Sequence, residues 1–298
     1  MSPWGGSSVR LLSVSDWKTL SRALSEHFYT PRELLSFGPA DFTDILGYSM
    51  PEAERLLSLL SRAELFRKRM LPLNGTLLPC TDARFPQRLP SILRGDCPPL
   101  LYCYGDVSLL RHPAVGYAGV RDTEGDDLSF VRTIVERTVS RGYFVVSGGA
   151  RGIDAAAETG ALLSGGSVIE FPAVSINERL EIADVRHAVE SGTLLLVSAV
   201  PPDIPFDAPY ALRRNRYLYA MSEAAVIAHA HLEAGGTWSG ACNALKGRVC
   251  PILVRNKPEY SGNMALIRRG AEPIDKSWDG DIRGLLTRTP IQQKLFDA

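Results

Sequence analysis

The residues best suited to bind an anion are concentrated between Ser147 and Gly152, where the chain reads Ser-Gly-Gly-Ala-Arg-Gly. The segment before it, 143–146, is apolar and β-prone, and the segment after it, 153–163, is rich in Ala and Leu. This pattern predicts a buried strand, a glycine-rich turn and a helix. Glycine lets backbone N–H groups approach an anion, and the first turn of a helix adds unpaired N–H groups and a partial positive charge. The candidate phosphate-binding residues here are Ser147, Gly148, Gly149, Arg151, Gly152 and Asp154.

The glycines of this turn have a second interpretation. A tight turn that needs glycine only for close packing would carry Gly148, Gly149 and Gly152 without binding any ligand. Spacing alone does not choose between the two interpretations, because short motifs also occur without the function. A classical dinucleotide site is disfavoured, because the turn follows the second strand of the pattern and lacks the Gly-x-Gly-x-x-Gly order.

The overall charge provides no general attraction for polyanions. The chain has 298 residues, in which 33 Lys and Arg balance 33 Asp and Glu. A protein of this kind that binds nucleic acid would therefore need a local basic patch. Hydrophobic residues make up 45% and charged residues 22% of the chain, which is typical of globular proteins. The length suits one large domain or two ordinary ones.

The use of cysteine and histidine argues against disulfides and metal sites. Five cysteines include no Cys-x-x-Cys pair, and five histidines lack the spacing of metal ligands. We therefore expect a reducing compartment and no metal or other cofactor. No apolar run reaches membrane-spanning length, and the first residues lack the basic and apolar regions of a signal peptide. These features predict a cytoplasmic protein that does not contact a membrane.

The chain divides into a helical part and an α/β part. We expect a disordered tail over 1–14, a small helical domain of the SAM or helix-hairpin type over 15–70, an α/β domain over 71–290 and a tail over 291–298. Two capping boxes, Thr30 with Glu33 and Ser49 with Glu52, predict helix starts within the helical domain. A small bundle of this kind either binds a partner or packs as a cap, and both interpretations stay open.

From Pro113 onward, short apolar segments alternate with helical patterns. This alternation predicts a parallel sheet covered by helices on both faces. Right-handed crossovers would bring every strand-to-helix turn to one edge of that sheet, where ligands bind in such folds. The predicted strands are 100–104, 114–118, 143–146, 167–171, 193–197, 224–228 and 249–254, and a single helix is predicted over 179–189.

This edge of the sheet would collect further polar residues. Besides the glycine-rich turn, they are Gly119, Arg121, Arg213, Arg214, Asn215, Arg216, Gly236 and Thr237. With Arg151, five arginines would then converge on one rim and form a local anion site in a chain of zero net charge. Each arginine taken alone is also consistent with a surface charge or a packed side chain.

Several segments together match one known family. The most specific match is Val146 to Ala157, followed by Gly160-Ala161-Leu162, and weaker matches are Gly119-Val120-Arg121, Arg214-Asn215-Arg216 with Met221-Ser222, and Asn263 to Ala271. Upstream, 81–86 and 97–105 match the segment that precedes this region in the family. Over about 78–273, the chain resembles the DprA/Smf family, the DNA-processing proteins of natural transformation.

The resemblance implies an extended Rossmann-like sheet preceded by a small helical domain. It also implies a homodimer that binds single-stranded DNA, protects incoming strands and loads a RecA-type recombinase, without catalysis. Such a protein contacts phosphates without reading the sequence, so its binding would depend strongly on salt. Carried over by position, Arg121, Arg151, Arg214 and Arg216 would hold phosphates, and Ser147, Gly148, Gly149 and Gly152 would supply backbone donors.

Two departures from the family pattern concern the site itself. The family's Gly-Ser-Arg is Gly119-Val120-Arg121 here, so one hydroxyl group is missing. A histidine is frequent in the family after the triple alanine, where this chain has Glu158. A carboxylate at that position would weaken the binding of an anion.

Two other functions would use the same kind of site. A sensor would bind a nucleotide or a nucleotide-derived signal, because a mononucleotide and a DNA phosphate require similar donors. Gly235-Gly236-Thr237 also resembles a loop of the nucleotide phosphoribohydrolases called LOG proteins. Those hydrolases have a glutamate shortly after the threonine, whereas 238–241 contain no carboxylate here, which disfavours an enzyme.

Overall fold

The computed structural model describes residues 14–70, 75–203, 205 and 208–286. The strands in this part of the chain are β1 (Gly75–Pro79), β2 (Leu100–Tyr104), β3 (Ala114–Ala118), β4 (Phe144–Ser147), β5 (Val168–Glu170), β6 (Leu194–Ser198), β7 (Ala224–Ile227), β8 (Ile252–Arg255) and β9 (Glu272–Ile274). They form one sheet in the order β1-β2-β6-β5-β4-β3-β7-β8-β9. The tails predicted at 1–14 and 291–298 lie outside the described residues, except that Val14 begins the first helix.

Helices connect these strands and precede them. They are α1 (Val14–Glu26), α2 (Met50–Met70), α3 (Arg88–Leu93), α4 (Gly125–Ser140), α5 (Ile153–Leu163), α6 (Ile176–Leu180), α7 (Ala183–Glu190), α8 (Ala208–Met221), α9 (Gly235–Gly247), α10 (Ser261–Arg268) and α11 (Arg283–Leu286). Short 3₁₀ segments lie at Glu33–Ser36, Arg94–Asp96 and Val107–Arg111, and a π-helical segment lies at Asp41–Ile45.

The predicted parallel sheet is confirmed from β3 to β9, where neighbouring strands run parallel. The edge made by β1 and β2 is antiparallel and was not predicted as such. Strand β2 was predicted from the sequence but β1 was not, because β1 is short and ends in Pro79. A short segment that ends in proline resembles a loop more than a strand.

Helices cover both faces of the sheet, as the alternating pattern predicted. On one face, α4 and α5 bury Ile134 and Ala157 against the strands. On the other face, α8 and α9 bury Leu218 and Ala241. Every residue of β6 is buried, because a strand between two helical layers has no face in water.

The single helix predicted over 179–189 is wrong, since the chain forms α6 and α7 with a break between them. The Ser175 hydroxyl caps α6 and accepts a hydrogen bond from the Glu178 N–H at 3.1 Å. Ile182 has an extended backbone, with ψ of 117°, and precedes α7 as its N-cap residue. The apolar spacing continues through this break, so a pattern of apolar residues alone did not detect it.

The helices before the sheet have an apolar cluster of their own. It contains Leu20, Leu24, Leu34, Phe42, Leu46, Ala53 and Leu56. Both predicted capping boxes are confirmed in their side-chain hydrogen bonds. The Thr30 N–H donates to Glu33 Oε2 at 2.6 Å, and the Ser49 hydroxyl donates to Glu52 Oε2 at 2.7 Å.

The strand order reverses between β3 and β7. β3 pairs with β4 on one side and with β7 on the other, while the connection between β6 and β7 passes through α8. The turns that leave β3 and β7 therefore move apart and leave a crevice at the carboxyl ends of the strands. This crevice holds the candidate site.

Candidate anion-binding site

A cavity of about 500 Å³ opens where the strand order reverses. The β3–α4 turn contributes Arg121 to its wall, α5 contributes Asp154, and α8 contributes Arg214. The residues predicted from the sequence that meet in this cavity are Gly119, Arg121, Asp154, Arg214, Asn215, Gly236 and Thr237. Four connections supply these residues, namely the turns that leave β3, β4 and β7 and the connection that contains α8. The cavity is therefore visible as a sequence motif only in part.

The glycine-rich turn borders a second, smaller hollow. This hollow, of about 300 Å³, is lined by Gly148, Gly149 and Arg151. It shares Arg121 and Ala150 with the cavity, so the two hollows are adjacent. The predicted turn therefore lies beside the cavity rather than forming its wall alone.

Buried side chains beneath the turn explain two of its glycines. A Cβ on Gly148 would overlap the guanidinium of Arg214 and lie 2.8 Å from Asp154 Oδ2. A Cβ on Gly149, whose φ is +67°, would overlap the carboxylate of Glu170. Packing and the positive φ are thus sufficient to require glycine at Gly149, as the second interpretation of the sequence allowed, whereas the overlap at Gly148 is with the end of a flexible side chain.

The backbone donors of the turn are largely used within the protein, contrary to the expectation from the sequence. The Gly149 N–H donates to Ser147 Oγ at 3.2 Å, and the Ala150 N–H donates to Asp154 Oδ2 at 3.4 Å. At the start of α5, the Ile153 N–H donates to the Val120 carbonyl at 3.3 Å. Ser147 is fully buried and holds the turn in shape. The capacity to bind an anion must therefore come chiefly from side chains.

Arg214 is the group in this cavity that a bound anion would stabilise most. Its residue is only 5% exposed, yet it lines the cavity, and its Nε has no hydrogen-bond partner among the described residues. Burial lowers the pKa of Arg214, and the nearby Asp154 carboxylate opposes that effect. A buried guanidinium with an unused donor is costly, and an anion in the cavity would add a counter-charge beside the part of this group that lines the wall.

Asp154 is the internal counter-charge of Arg214. Both groups lie against Gly148, and Asp154 is 6% exposed. Burial raises the pKa of Asp154 to about 6, although Arg214 and hydrogen bonds from the turn act in the opposite direction. A carboxyl group with this pKa changes its charge close to neutral pH.

Two exposed arginines complete the positive edge. Arg121 borders both the cavity and the smaller hollow, and Arg151 borders the smaller hollow. Neither forms an ion pair with a residue in the described ranges, and both are exposed to solvent. Arg121, Arg151 and Arg214 therefore present three guanidinium groups to the same part of the sheet edge.

Arg213 and Arg216 lie elsewhere. They belong to α8, like Arg214, but line a neighbouring groove between α8 and α9. Arg216 Nη2 lies 2.7 Å from Asp96 Oδ2. The expected convergence of five arginines on one rim is thus seen for three of them, because successive residues of a helix point in different directions.

Side-chain hydrogen bonds join the cavity walls. The Thr237 hydroxyl donates to the Gly119 carbonyl at 2.9 Å, and the Asn215 amide donates to the Gly236 carbonyl at 3.3 Å. Gly152, with φ of +80°, lies against the carbonyl groups of Val120 and Arg121. These residues fix the turns relative to one another.

Glu158, expected to weaken anion binding, lies below the turn. Arg179 pairs with Glu170 through Nε and Oε1 at 2.6 Å and reaches Glu158 Oε2 at 3.5 Å. Burial, with the neighbouring Glu170 as the next cause, raises the pKa of Glu158 well above its ordinary value. The charged form of Glu158 is therefore less favoured than that of an ordinary glutamate, and Glu158 contributes less negative charge to the site than its residue type suggests.

Sequence reasoning missed other residues of the cavity wall. His231, Asp122, Leu212 and Tyr219 all line it. Their positions after β3 and β7 and on α8 are visible only once the strand order is known, although His231 follows a predicted strand. In the described ranges, no group of three or more His, Cys, Asp or Glu side chains is arranged to hold a metal ion. None of the described helices is both long and apolar enough to span a bilayer.

Comparison with known proteins gives relatives that share most of the sheet region. The chain is 30% identical over 206 residues to Protein Smf of Escherichia coli, an alignment that covers 66% of this chain and 54% of the relative. It is 27% identical over 208 residues to the DNA processing protein DprA of Bacillus subtilis, with 66% and 67% covered. The chain thus spans about half the length of the first relative and two thirds of the second.

Two solved structures share the fold. An X-ray structure of DprA from Streptococcus pneumoniae matches with a TM-score of 0.67 at 20% identity, over 92% of this chain and 98% of the other. A structure of DprA from Helicobacter pylori, described for its mode of binding single-stranded DNA, matches with a TM-score of 0.57 at 26% identity, over 72% and 95%. The Rossmann-like fold expected from the sequence is confirmed.

The family follows from the match of the whole sheet region. The family model for DNA recombination-mediator protein A matches residues 76–280, which is more than half of the chain. The segments that suggested the family, from Gly119 to Asn263, all fall within this range. The resemblance is confirmed, and the chain belongs to the DNA recombination-mediator protein A family.

Proposed function

We propose that this protein binds single-stranded DNA at the edge where the strand order reverses, and that it acts in DNA processing during natural transformation. The observation that carries the proposal is Arg214, a guanidinium buried in the cavity wall with an unpartnered Nε. Arg121 and Arg151 extend the positive charge from the cavity to the glycine-rich turn. A polyanion that runs along this edge would contact all three groups.

A single strand suits the site better than a duplex. The cavity also has apolar walls from Leu212, Leu218 and Tyr219, and an unpaired base offers an apolar face to such a wall. In a duplex the base faces are stacked on each other and are not available to contact such a wall. The related H. pylori protein, whose structure is described for binding single-stranded DNA, supports this choice.

The proposed steps after DNA binding are supported only by the family to which the chain belongs. We propose that the bound strand is protected and passed to a RecA-type recombinase, and that the protein works as a cytoplasmic homodimer without catalysis. Membership of the recombination-mediator family supports these roles. Phosphate contacts through Arg121, Arg151 and Arg214 would hold a strand in place without reading its sequence.

A nucleotide sensor is the second candidate. A volume of about 500 Å³ lies within the range of small-molecule sites. Arg214 would bind the phosphate of a mononucleotide as well as that of DNA. A hydrolase has weaker support. Asp154 is a carboxyl group in the cavity with a pKa raised to about 6, but it is engaged with Arg214 rather than placed after Thr237 as in the LOG loop.

A competition experiment separates these functions. A fluorescent oligo-dT is bound to the protein and then challenged with unlabelled single strand, duplex of equal length, or AMP, and fluorescence anisotropy is measured. We expect the single strand to displace the probe at a concentration at least about ten-fold lower than the duplex, with AMP weaker still. Displacement by AMP at the lowest concentration would favour the sensor, and release of free base from AMP would favour the enzyme.

A further inference from the structure

A second groove lies beside the cavity, between α3, α8 and α9. It has a volume of about 580 Å³, and Leu212, Asn215 and Tyr219 line both the groove and the cavity. Ile92 and Leu93 from α3 supply apolar surface to it. The groove is therefore adjacent to the candidate anion site, and a long ligand could occupy both.

The charge of this groove is positive. Arg213 and Arg216 line it, and no acidic residue does so within the described part of the chain. Arg213 is exposed and forms no ion pair with a described residue. The only ion pair shown for Arg216 joins it to Asp96, with side chains 50% and 65% exposed, and such exposed pairs contribute little to stability. Both guanidinium groups are available to an anionic ligand.

Leu212 stands on the ridge between the cavity and the groove. It is 56% exposed although it is a large apolar side chain, and it lines both hollows. An exposed leucine on its own needs no explanation, but this one separates two arginine-lined hollows. A ligand that covers it must be anionic along its length and must also present apolar surface.

We propose that the groove binds the segment of single-stranded DNA that continues from the cavity, with Arg213 and Arg216 on its phosphates and Leu212 against its bases. This inference rests on the proposed function and extends it, because it assigns a second subsite and a path for the strand. An unpaired strand has both properties that the ridge and groove require. It also gives a role to two arginines that the cavity leaves unused.

The test is the dependence of affinity on the length of the DNA. Anisotropy is measured with oligo-dT of about 4 and about 16 nucleotides, which span the range of site sizes known for single-strand-binding OB folds. The variants are Arg213→Ala with Arg216→Ala, and a matched control is Arg84→Ala with Arg132→Ala. In the control pair, Arg84 is ion-paired with Asp82 at 2.7 Å, and Arg132 is exposed on α4 at the opposite face.

We expect the Arg213→Ala and Arg216→Ala double variant to bind the short strand within about two-fold of the original protein. Its affinity for the long strand should fall at least about ten-fold, and its salt slope for that strand should fall by about 1.4, or 0.7 for each lost phosphate. The control pair should change neither value. Equal affinity of the double variant and the original protein for the long strand would overturn the inference, as would an equal loss for both lengths.

The role of Leu212 has a separate readout. Leu212→Ser should weaken binding of the long oligo-dT several-fold but leave unchanged the binding of a strand of equal length whose central nucleotides lack bases. Leu163→Ser serves as control, since Leu163 is 81% exposed at the end of α5. An equal effect on both strands would contradict a base contact. If the original protein binds no single strand of either length, the proposed function is wrong. If it binds single strands but the double variant shows no effect of length, only the second subsite is wrong.

Discussion

At the scale of single residues, the site depends on how Arg214 is held. The guanidinium lies against Gly148, and Asp154 lies against the same glycine. Because Arg214 is buried with an unused Nε, small changes around it should alter anion binding more than they alter stability. The glycine-rich turn therefore affects the ligand indirectly. Because Gly148 has no Cβ, the Arg214 side chain can lie against it and line the cavity.

Gly148→Ala should separate binding from folding. The new methyl group would overlap the end of the flexible Arg214 side chain, which can move away at little cost. We expect the affinity for oligo-dT to fall about ten-fold, while the free energy of unfolding falls by less than about 1.5 kcal/mol. Urea denaturation and anisotropy measure the two quantities.

Gly152→Ala provides the contrast. Its φ is +80°, and its Cβ would lie 2.5 Å from the backbone oxygens of Val120 and Arg121, which cannot rotate away. We expect it to lower the free energy of unfolding by about 1–3 kcal/mol. If Gly148→Ala destabilises the protein as much as Gly152→Ala and binds DNA normally when folded, the arrangement of Arg214 described above is incorrect.

Asp154 should make DNA binding depend on pH. Its pKa in the folded protein is raised to about 6, so lowering the pH through this value protonates Asp154 and removes the counter-charge beside Arg214. The groups that face it are Arg214, Glu170 and the N–H groups of Gly148 and Ala150. We expect oligo-dT to bind several-fold more tightly at about pH 5 than at about pH 7.

Asp154→Asn is the control for this effect. It should bind at about pH 7 as the original protein binds at about pH 5, and its affinity should change less between the two values. The same sign applies to stability. Because its pKa is higher in the folded protein, Asp154 increases the free energy of unfolding fully at pH values below its unfolded pKa. This stabilisation is lost as the pH rises through about 6. An unchanged pH profile in Asp154→Asn would exclude Asp154 as the titrating group.

At the scale of elements, the buried charges beneath the turn connect β5, α5 and α6. Glu170 is fully buried, and Arg179 is 12% exposed at its side chain and pairs with both Glu170 and Glu158. Removing one member of a buried ion pair leaves the others uncompensated. This cluster supports the turn from below, so its loss should be seen first in stability.

Arg179→Leu should lower the free energy of unfolding by about 3–5 kcal/mol near neutral pH. Part of this loss should be recovered in the double variant Arg179→Leu with Glu170→Gln, because the uncompensated carboxylate is then removed. Arg132→Leu, a substitution on exposed α4, is the control and should change the free energy of unfolding by less than about 0.5 kcal/mol. Urea denaturation that shows no difference between Arg179→Leu and this control would contradict a supporting role for the cluster.

The sequence predicted the main strands and helices better than the helix breaks, the short strands and the side-chain contacts. The strand at 114–118 and the helix at 153–163 agree with β3 and α5 residue for residue, because an apolar segment bounded by turn residues and an Ala-rich helix have clear signals. The break at Ile182 was missed because the apolar spacing continues through it. Strand β1 was missed because it is short and ends in Pro79. The partners of Arg214 could not be predicted, because Asp154 and Gly148 meet it only through the strand order.

At the scale of the whole molecule, the charge distribution decides what the protein can bind. The net charge is zero over 298 residues, so attraction for a polyanion is local. Three guanidinium groups lie at the reversal of the strand order, and two more lie in the groove beside it. The doubly covered sheet brings these groups together from turns and helices that are far apart in the chain.

The most direct test of this account is the affinity for oligo-dT over a series of salt concentrations, compared between the original protein and Arg121→Glu. Arg121 is exposed, so the substitution should leave the fold intact, and Arg132→Glu is the matched control. We predict a slope of log affinity against log salt of about −2 or steeper, as expected for three or more phosphates. In Arg121→Glu the slope should be smaller and the affinity at least about ten-fold lower. The same affinity and the same slope in both proteins would contradict phosphate binding at this edge.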